Sequence, residues 1–399
     1  MVTYPKDWDN CTLGNLGEVK MCKRIFAHQT SKSGQIPFYK IGTFGGKADA
    51  FISRELYDRY RNAYSFPKMG DILLSAAGTI GRTVIYDGKD AYFQDSNIVW
   101  LEVDENQVDK GFLKYFYDSY PWKNLEGTTI KRLYNGLIRN TAISLPSLPE
   151  QKAIASALST FDTYIDSLTE LIEKKRNIRD GALEDLVSGR TRLEGFCGKW
   201  KTVSFNQVIV PKARIGWQGL KKEEYLRTGY SYLIGGTDFS QGTISLDNIS
   251  FVSEDRYNMD INIQVGANDV LVTKDGTIGK VAIVPALNKP ATLNSGVFVF
   301  RTKEELVPIY LYRVLSSSIF KSFIDILSAG STIKHLYQKD LKNFEFAIPV
   351  DKQEQEAIAD ALTAMDKEIS NLETERDKMI QIREGAMDDL LTGRVRLKV

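Results

Sequence analysis

The residue types that carry most enzymatic chemistry are sparse in this chain. It has two histidines, His28 and His335, and three scattered cysteines, Cys11, Cys22 and Cys197, with no CxxC pair. Metal sites and general-base sites usually need several such residues at close spacing. The sequence therefore predicts no bound metal, no disulfide framework and no catalytic histidine.

Acidic residues near the N-terminus suggest one hydrolytic alternative. Asp7, followed by Glu18-Val19-Lys20, loosely imitates the D…ExK pattern of a nuclease metal site. The triplet is common in charged sequences, and the second half of the chain has no counterpart. A metal nuclease is kept as an alternative, and no catalytic residue is assigned.

Two glycine-containing turns are candidates for phosphate contact. Residues 70–75 lead into Gly78-Thr79-Ile80-Gly81-Arg82, and residues 268–273 lead into Gly276-Thr277-Ile278-Gly279-Lys280. Neither turn has the GxxxxGK[ST] or GxGxxG spacing of nucleotide-binding loops, so no cofactor is expected on this chain. We expect tight turns whose amides, with Arg82 or Lys280 beside them, face phosphate.

An internal repeat identifies the elements that must position these turns. Residues 150–193 and 354–397 align without a gap, and 21 of the 44 positions are identical. Their apolar residues alternate at spacings of four and three, which predicts a long helix with one apolar seam. Because the nearest partner for each helix is its own duplicate, we predict an antiparallel coiled coil. Gly181 and Gly385 at equivalent places predict a close helix–helix approach.

The segments before the helices are related more loosely. Short β-branched and aromatic runs, such as 98–103 and 297–301, lie between Gly, Asn and Asp turns, with helical patterns near 111–120 and 308–327. The fold class expected is α+β, with two strand-rich domains in a pseudo-two-fold internal repeat.

Composition and charge limit the remaining function classes. The net charge is +1, but residues 1–149 and 194–353 each carry 19 Lys and Arg against 16 Asp and Glu, which is compatible with phosphate binding. No apolar run approaches the roughly 20 residues that span a bilayer. The first residues lack the pattern of a signal peptide, so a cytoplasmic location is expected.

The combination of these motifs resembles the DNA specificity subunits of type I restriction-modification systems. The pattern of a proline, then Glu150-Gln151, a helix and Gly189-Arg190 occurs again at the end of the chain as Pro349, Glu354-Gln355, a helix and Gly393-Arg394, and the two glycine turns also fit. The resemblance implies target recognition domains at 1–148 and 191–350. It also implies spacer helices at 149–190 and 351–395 that act as a ruler between the domains.

The resemblance further implies a non-catalytic subunit that recognises a bipartite, asymmetric site on double-stranded DNA. Two modification subunits would bind S-adenosylmethionine and methylate adenine, and restriction subunits would use ATP and magnesium to cleave DNA. This chain would bind none of these cofactors itself.

Basic residues are the candidates for DNA contact on this reading, with polar loop residues reading base edges. In the first domain they are Lys20, Lys23, Arg24, Lys32, Arg82, Lys131 and Arg132, and in the second Lys212, Arg214, Lys221, Lys222, Lys274, Lys280, Lys334 and His335. Tyr134 and Tyr337 follow the last of these in each half; contact with a DNA groove is the alternative for both, and core packing is expected.

Two further alternatives remain open beside the nuclease. The chain could be the specificity subunit of a related system that fuses or rearranges modification and cleavage. It could also be a coiled-coil adaptor that never binds DNA.

Overall fold

The computed structural model describes residues 4–122, 132–214, 219–329 and 335–398, and its chain divides into two compact units. The first consists of Met1–Thr169 with Thr374–Val399, and the second of Glu170–Glu373. Each unit thus contains one globular region and parts of both repeat helices. The domain boundaries derived from the sequence stay a prediction.

Within its described residues, the first unit contains nine strands and four α-helices before the first long helix. The strands are β1 (Asp9–Thr12), β2 (Gly17–Lys20), β3 (Ile36–Tyr39), β4 (Ala50–Ile52), β5 (Ile72–Ser75), β6 (Thr83–Ile85), β7 (Tyr92–Phe93), β8 (Ile98–Val103) and β9 (Ala142–Leu145). The helices are α1 (Leu13–Leu16), α2 (Arg54–Ala63), α3 (Lys110–Ser119) and α4 (Asn135–Asn140), and the long helix is α5 (Leu148–Ser188).

The second unit repeats this order with additions. Its strands are β10 (Trp200–Ser204), β11 (Ile209–Ala213), β12 (Ser231–Ile234), β13 (Phe239–Ser240), β14 (Thr243–Ile244), β15 (Ser250–Val252), β16 (Gln264–Val265), β17 (Val270–Thr273), β18 (Val281–Ile283), β19 (Ala291–Leu293), β20 (Val297–Thr302) and β21 (Glu345–Pro349). Its helices are α6 (Phe205–Val208), α7 (Glu254–Asn258), α8 (Pro308–Ser316), α9 (Ser318–Ala329), α10 (Gln338–Leu341) and the long α11 (Lys352–Leu391).

Strand order shows that the repeat extends into the globular regions. The sheet β2-β8-β5-β6 of the first unit corresponds to the run β11-β20-β17-β18 of the second, and β4-β3-β7 corresponds to β15-β12-β19. In each of these three-stranded runs one pair is parallel, β3 with β7 and β12 with β19, and the other pair is antiparallel. The strand-rich α+β class is confirmed.

The central strands β5 and β17 are buried on both faces because they separate two cores. Ile72 and Leu74 pack into one cluster of the first unit, whereas Leu73 packs into the other. Val270 and Leu271 divide between two clusters of the second unit in the same way. Alternate side chains of a strand point to opposite faces, which explains why both runs are continuously apolar.

Both long helices are present, and each is longer than the sequence indicated. They contain 41 and 40 residues, against about 35 expected. In the first unit Asp162 pairs with Arg383, at 2.7 Å, and the Tyr164 hydroxyl donates to Glu375.

In the second unit the contacts between helix segments follow the same rule. Lys175 pairs with Glu368 at 2.7 Å, and Arg179 pairs with Asp366 at 2.5 Å. Partner numbers fall as helix numbers rise in each unit, so the segments that meet within a unit are antiparallel. A regular coiled-coil seam along their whole length stays a prediction.

The Glu and Arg residues of the repeat motif form a buried ion pair in the second unit. Glu354, at the start of α11, is fully buried, and Arg192 Nε and Nη2 donate to its two carboxylate oxygens at 2.5 and 2.7 Å. The Trp200 ring lies 5.5 Å from the guanidinium, and its Nε1 donates to the same carboxylate at 3.3 Å. Bidentate pairs of this kind are among the stronger charged contacts.

The first unit builds the equivalent pair from the other ends of the two copies. Arg396 donates to both oxygens of Glu150 at 2.6 and 2.7 Å and lies 5.8 Å from the Trp8 ring. Arg396 also pairs with Asp7 at 2.9 Å, and this hydrogen bond lowers the pKa of the Asp7 carboxyl. The motif that marks the repeat is therefore structural.

The glutamine of the motif fastens each helix to the strand before it. Gln151 Nε2 donates to the Pro146 carbonyl at 3.0 Å, and its Oε1 accepts from the Asp109 amide at 2.8 Å. Gln355 makes the same two bonds with Pro349 and Val307, at 2.9 Å each. These buried amides are satisfied by backbone groups, as burial requires.

One helix prediction is wrong. A methyl group added at Gly181 or Gly385 would meet no atom within 4 Å, so these glycines do not mark a close helix–helix approach within the chain. Both lie on exposed helix surface. Among the described residues, no helix is long and apolar enough to cross a membrane.

Candidate nucleic-acid interface

The glycine turn of the first unit is closed by its own strand end. Ser75 Oγ donates to the Thr79 carbonyl at 2.5 Å and accepts from the Arg82 amide at 2.8 Å. Gly78 and Gly81 have φ of 64° and 87°, in the left-handed region that favours glycine. A tight turn after a strand is confirmed.

The second unit has the same turn with threonine in place of serine. Thr273 Oγ1 donates to the Thr277 carbonyl at 2.5 Å and accepts from the Lys280 amide at 2.9 Å. Gly276 and Gly279 have φ of 68° and 81°. Two turns of identical hydrogen bonding therefore lie at equivalent places.

Two backbone amides of each turn form hydrogen bonds inside the turn, whereas we expected the turn amides to face phosphate. The amides of Gly81 and Arg82 donate to Ser75, and those of Gly279 and Lys280 donate to Thr273. An N–H group that is already bonded inside the turn does not face phosphate. The prediction is therefore wrong for these two amides of each turn. The side chains of Arg82 and Lys280, both exposed, remain phosphate candidates.

A segment far along the chain pairs with each turn. Arg132 forms a β-bridge with Ala77, and the Leu133 amide donates to the Ala76 carbonyl at 2.7 Å. The second unit repeats this arrangement with His335 opposite Asp275 and with Leu336 donating to the Lys274 carbonyl at 2.8 Å.

In the first unit, basic side chains meet at these loops. Arg132 Nη2 donates to the Ser96 carbonyl at 2.8 Å, and Arg24 pairs with the neighbouring Asp95 at 2.8 Å. Arg82 Nη1 donates to the Phe44 carbonyl at 2.7 Å. We call residues 23–24, 76–82, 94–97 and 132–134 the first loop face.

The second unit forms an equivalent surface with other side chains. His335 Nδ1 lies 2.5 Å from Asp275 Oδ1, and Lys274 Nζ lies 5.6 Å from the centre of the Phe298 ring. The Asn294 amide donates to the Ile234 carbonyl at 2.8 Å, which holds residues 294–296 beside the loop after β12. Residues 235–238, 274–280, 294–296 and 335–337 form the second loop face.

Polar residues 94–97 of the first loop face were missed by the sequence analysis. Ser96 has a φ of 61°, which is uncommon for a residue other than glycine. Its neighbour Asp95 lies beside Arg24, and the Ser96 carbonyl accepts from Arg132. The signal available was the polar run Gln94-Asp95-Ser96-Asn97 between two apolar strands.

Arg214 is not a surface residue, and its predicted contact with DNA is corrected. Its side chain is 2% exposed, and Nε donates to the Leu293 carbonyl at 2.9 Å. Burial lowers the pKa of its guanidinium. Arg214 therefore supports the strand end that leads into residues 294–296.

Of the other basic candidates, Lys23 lies in the first loop face, and the rest lie outside both loop faces or outside the described residues. Lys20 lies on β2 and pairs with Glu18, which raises its pKa. The remaining positions are Lys23 in the first loop face over the Tyr64 ring, exposed Lys32, half-buried Lys212 on β11, and exposed Lys221 and Lys222. Lys131 and Lys334 lie outside the described residues.

Tyr134 and Tyr337 contradict the expectation of core packing. Their exposed fractions are 65% and 54%. They extend from the first and second loop faces beside Arg132 and His335, because the leucine between each pair is the buried residue.

The acidic residues of the nuclease alternative are engaged in ion pairs. Asp7 pairs with Arg396, and Glu18 pairs with Lys20 at 2.5 Å, which lowers the pKa of each carboxyl. Within the described part of the chain, no group of three or more His, Cys, Asp or Glu side chains could hold a metal ion.

Comparison with known proteins connects both units to one family. The family model described as the type I restriction modification DNA specificity domain matches residues 5–176 and again residues 200–381. The two matches cover both strand-rich regions and most of both long helices, so the internal repeat is a repeat of this domain.

Curated relatives carry corresponding descriptions. A protein of Haemophilus influenzae, described as a candidate type I restriction enzyme specificity subunit, is 56% identical over 158 residues, which are 40% of this chain and 41% of that protein. The type I restriction enzyme MjaVIII specificity subunit of Methanocaldococcus jannaschii is 25% identical over 99% of this chain and 94% of its own length. The EcoBI specificity subunit of Escherichia coli is 24% identical over 81% of this chain and 72% of its own.

A solved structure shares the fold. The type I restriction-modification S subunit from Mycoplasma genitalium matches with a TM-score of 0.61 at 18% identity, over 98% of this chain and 97% of that one. A second structure, described as showing complex assembly and conformational transition of the type I system, matches with a TM-score of 0.60 at 14% identity.

Proposed function

This chain belongs to the family of type I restriction-modification DNA specificity subunits, and from that membership we propose that it directs partner enzymes to a bipartite, asymmetric DNA site. Family membership itself implies sequence-specific DNA recognition. The proposal adds that each unit reads one half-site, that adenine methylation and restriction follow from that choice, and that this chain contributes no catalytic residue.

The two loop faces are the observation that carries the proposal. Both present a glycine turn, a bridged segment and basic side chains in one arrangement, which suits two readers of one double helix. Their side chains differ, with Arg82 and Arg132 in one face and Lys280 and His335 in the other. Because base edges are read by specific side chains, two different faces imply two different half-sites.

Within each face, we assign the cations to positioning and the neighbouring polar residues to base reading. Arg82 and Lys280 are exposed and flank the turns, where a phosphate would neutralise their charge. Asp95 in the first face and its counterpart Asn294 in the second differ between the units and offer hydrogen-bonding groups to base edges.

The helix surfaces support docking of two copies of one partner. Ile178 and Ile382 occupy equivalent positions and are 59% and 43% exposed. Gly181 and Gly385 lie one turn further along and have open space around them. A repeated apolar position beside a glycine favours close approach of a helix from outside the chain. We propose that modification subunits occupy both places and carry S-adenosylmethionine, while restriction subunits carry ATP and magnesium.

Methylation mapping tests the proposal most directly. DNA from cells with and without this chain is sequenced by a single-molecule method that detects methylated adenine. We expect one bipartite motif with two unlike half-sites that disappears when the chain is removed. An unchanged methylation pattern in cells that express the modification subunit would contradict the proposal.

Binding measurements separate the alternatives. The chain, assembled with modification subunits, should prefer a duplex that carries the mapped motif over a scrambled duplex. An adaptor that never binds DNA would show no such preference. A nuclease would cleave DNA as the purified chain with magnesium alone, and we expect no cleavage.

A further inference from the structure

The two units share an exposed tyrosine at their loop faces, in the segment that pairs with the glycine turn. In the first unit the order is Arg132-Leu133-Tyr134, and in the second it is His335-Leu336-Tyr337. The leucines are 1% and 2% exposed, whereas the tyrosines are 65% and 54% exposed.

The backbone fixes the direction of these side chains. Each leucine amide is bonded to a carbonyl just before the glycine turn, from Leu133 to Ala76 at 2.7 Å and from Leu336 to Lys274 at 2.8 Å. Tyr134 is extended, with φ −83° and ψ 151°. In extended chain, neighbours alternate between faces, so the residues on either side of a buried leucine point together toward solvent.

The second unit has the same backbone, with φ −95° and ψ 148° at Tyr337. A histidine and a lysine lie beside the ring there: the His335 ring lies 6.1 Å away, and Lys339 Nζ lies 5.4 Å from its centre. In the first unit Arg132 is the basic neighbour on the same side. An exposed phenol beside cations suits a polyanion, because its hydroxyl can donate to a phosphate oxygen while its ring packs on the sugar.

The presence of the same residue, tyrosine, at this position in both units indicates which part of DNA it contacts. The loop faces differ at most other polar positions, as readers of unlike half-sites must. A residue that is the same in both should contact what both half-sites share, which is the sugar-phosphate backbone. We propose that Tyr134 and Tyr337 anchor the two loop faces to the DNA backbone, an inference that rests on the function proposed above.

The test uses the chain assembled with its modification subunits and two duplexes, one with the mapped methylation motif and one scrambled. Tyr134→Phe and Tyr337→Phe each remove one hydroxyl. Each should weaken binding to both duplexes by about threefold to tenfold, the effect of one hydrogen bond. The double variant should multiply the two losses. The slope of affinity against salt should not change, because tyrosine is neutral and releases no counterion.

Tyr230→Phe is the matched control. Tyr230 is 41% exposed in the second unit and precedes β12, at the opposite end of that strand from residues 235–238. The affinity of the complex with the Tyr230→Phe variant for both duplexes should equal that of the wild type.

Two results would overturn the inference while leaving the proposed function intact. One is unchanged affinity of the double Tyr→Phe variant and of the double Tyr→Ala variant, in a complex whose wild type prefers the mapped duplex. The other is a loss confined to the mapped duplex, which would mean base reading. A wild-type complex that does not discriminate between the duplexes would overturn both proposals together.

Discussion

At the residue scale, Arg192 and Arg396 are partly exposed basic residues that form ion pairs within the fold. Each is held by a buried glutamate of the repeat motif and by a tryptophan ring. Removing the partner of a buried carboxylate leaves an uncompensated buried charge, which destabilises the folded state. We therefore assign these arginines a stabilising role in the fold.

Replacing Arg192 should destabilise the second unit. Arg192→Ala leaves the fully buried Glu354 without its bidentate partner. We expect a loss of about 2 kcal/mol in free energy of unfolding, below the range for wholly buried pairs because Arg192 is 29% exposed. Urea titration measures the loss.

Arg190→Ala is the control for this prediction. Arg190 pairs with Asp185, and their side chains are 65% and 47% exposed. Removing an exposed pair should cost less than about 1 kcal/mol. Equal losses in the two variants would contradict the structural role of Arg192.

Thiol reactivity should separate the cysteines. Burial raises the pKa of the Cys22 thiol to about 12, whereas Cys197 is exposed. Because the thiolate is the reactive form, a disulfide reagent near pH 8 should modify Cys197 and leave Cys22 unmodified until the protein unfolds.

The same shift has a consequence for stability at high pH. The folded protein holds the Cys22 proton more tightly than the unfolded chain does. The protonated thiol therefore contributes its full stabilisation of the folded state below the ordinary thiol pKa of 9.0. It is lost as the pH rises toward 12. Labelling of Cys22 in the folded protein at a rate equal to that of Cys197 would contradict its burial.

At the element scale, the long helices were the easiest part to predict from sequence. Their apolar residues repeat at helical spacing, and the second copy has apolar residues at most of the same positions. The strand-rich regions gave a weaker signal, although β8 was predicted with the bounds that the structure has, and the pattern near 308–327 proved to be two helices, α8 and α9. Ser317 between them interrupts the helix, which apolar spacing alone does not reveal.

Alanine at the exposed helix glycines should stabilise the isolated chain. Gly181→Ala and Gly385→Ala each remove the conformational cost of a mid-helix glycine where a methyl group meets no atom. Each should add about 1 kcal/mol to the free energy of unfolding, and the two gains should add. Thermal unfolding measures the change.

The same pair of substitutions tests the docking proposal. Added methyl groups should weaken assembly with modification subunits, if those subunits approach the helices closely at both places. Gly198→Ala, in the loop between α5 and β10, is a control because it too has open space but lies outside the helices. A double variant that is destabilised by itself would contradict the open surroundings of the glycines.

At the scale of the whole molecule, α5 and α11 each pass from one compact unit into the other. The family resemblance implies that these helices set the spacing of two half-sites. Four residues added to both helices at equivalent positions, after residues 169 and 373, extend each by about 6 Å at 1.5 Å per residue. The unread spacer of the methylation motif should lengthen by about one or two base pairs, since base pairs are 3.4 Å apart.

The readout is the methylation motif in cells that carry the lengthened chain. The half-sites should stay the same, because neither loop face is altered. The control adds the same residues to α5 alone, which should break the pairing of helix segments and abolish methylation. If cells with the lengthened chain still show methylation at the motif with the original spacer, the helices do not set the spacing of the half-sites.

The sequence by itself determined the two-fold organisation, the long helices, the family and the tight glycine turns. These follow from patterns within one stretch of chain: a period, a gapless repeat, or a glycine where φ must be positive. Only the tertiary structure decided the roles of individual residues. Arg214, the helix glycines and the two tyrosines were all misjudged, because burial depends on segments distant in sequence. The Arg192–Glu354 pair joins residues 162 positions apart, and no local pattern reports which of many charges such a contact will bury.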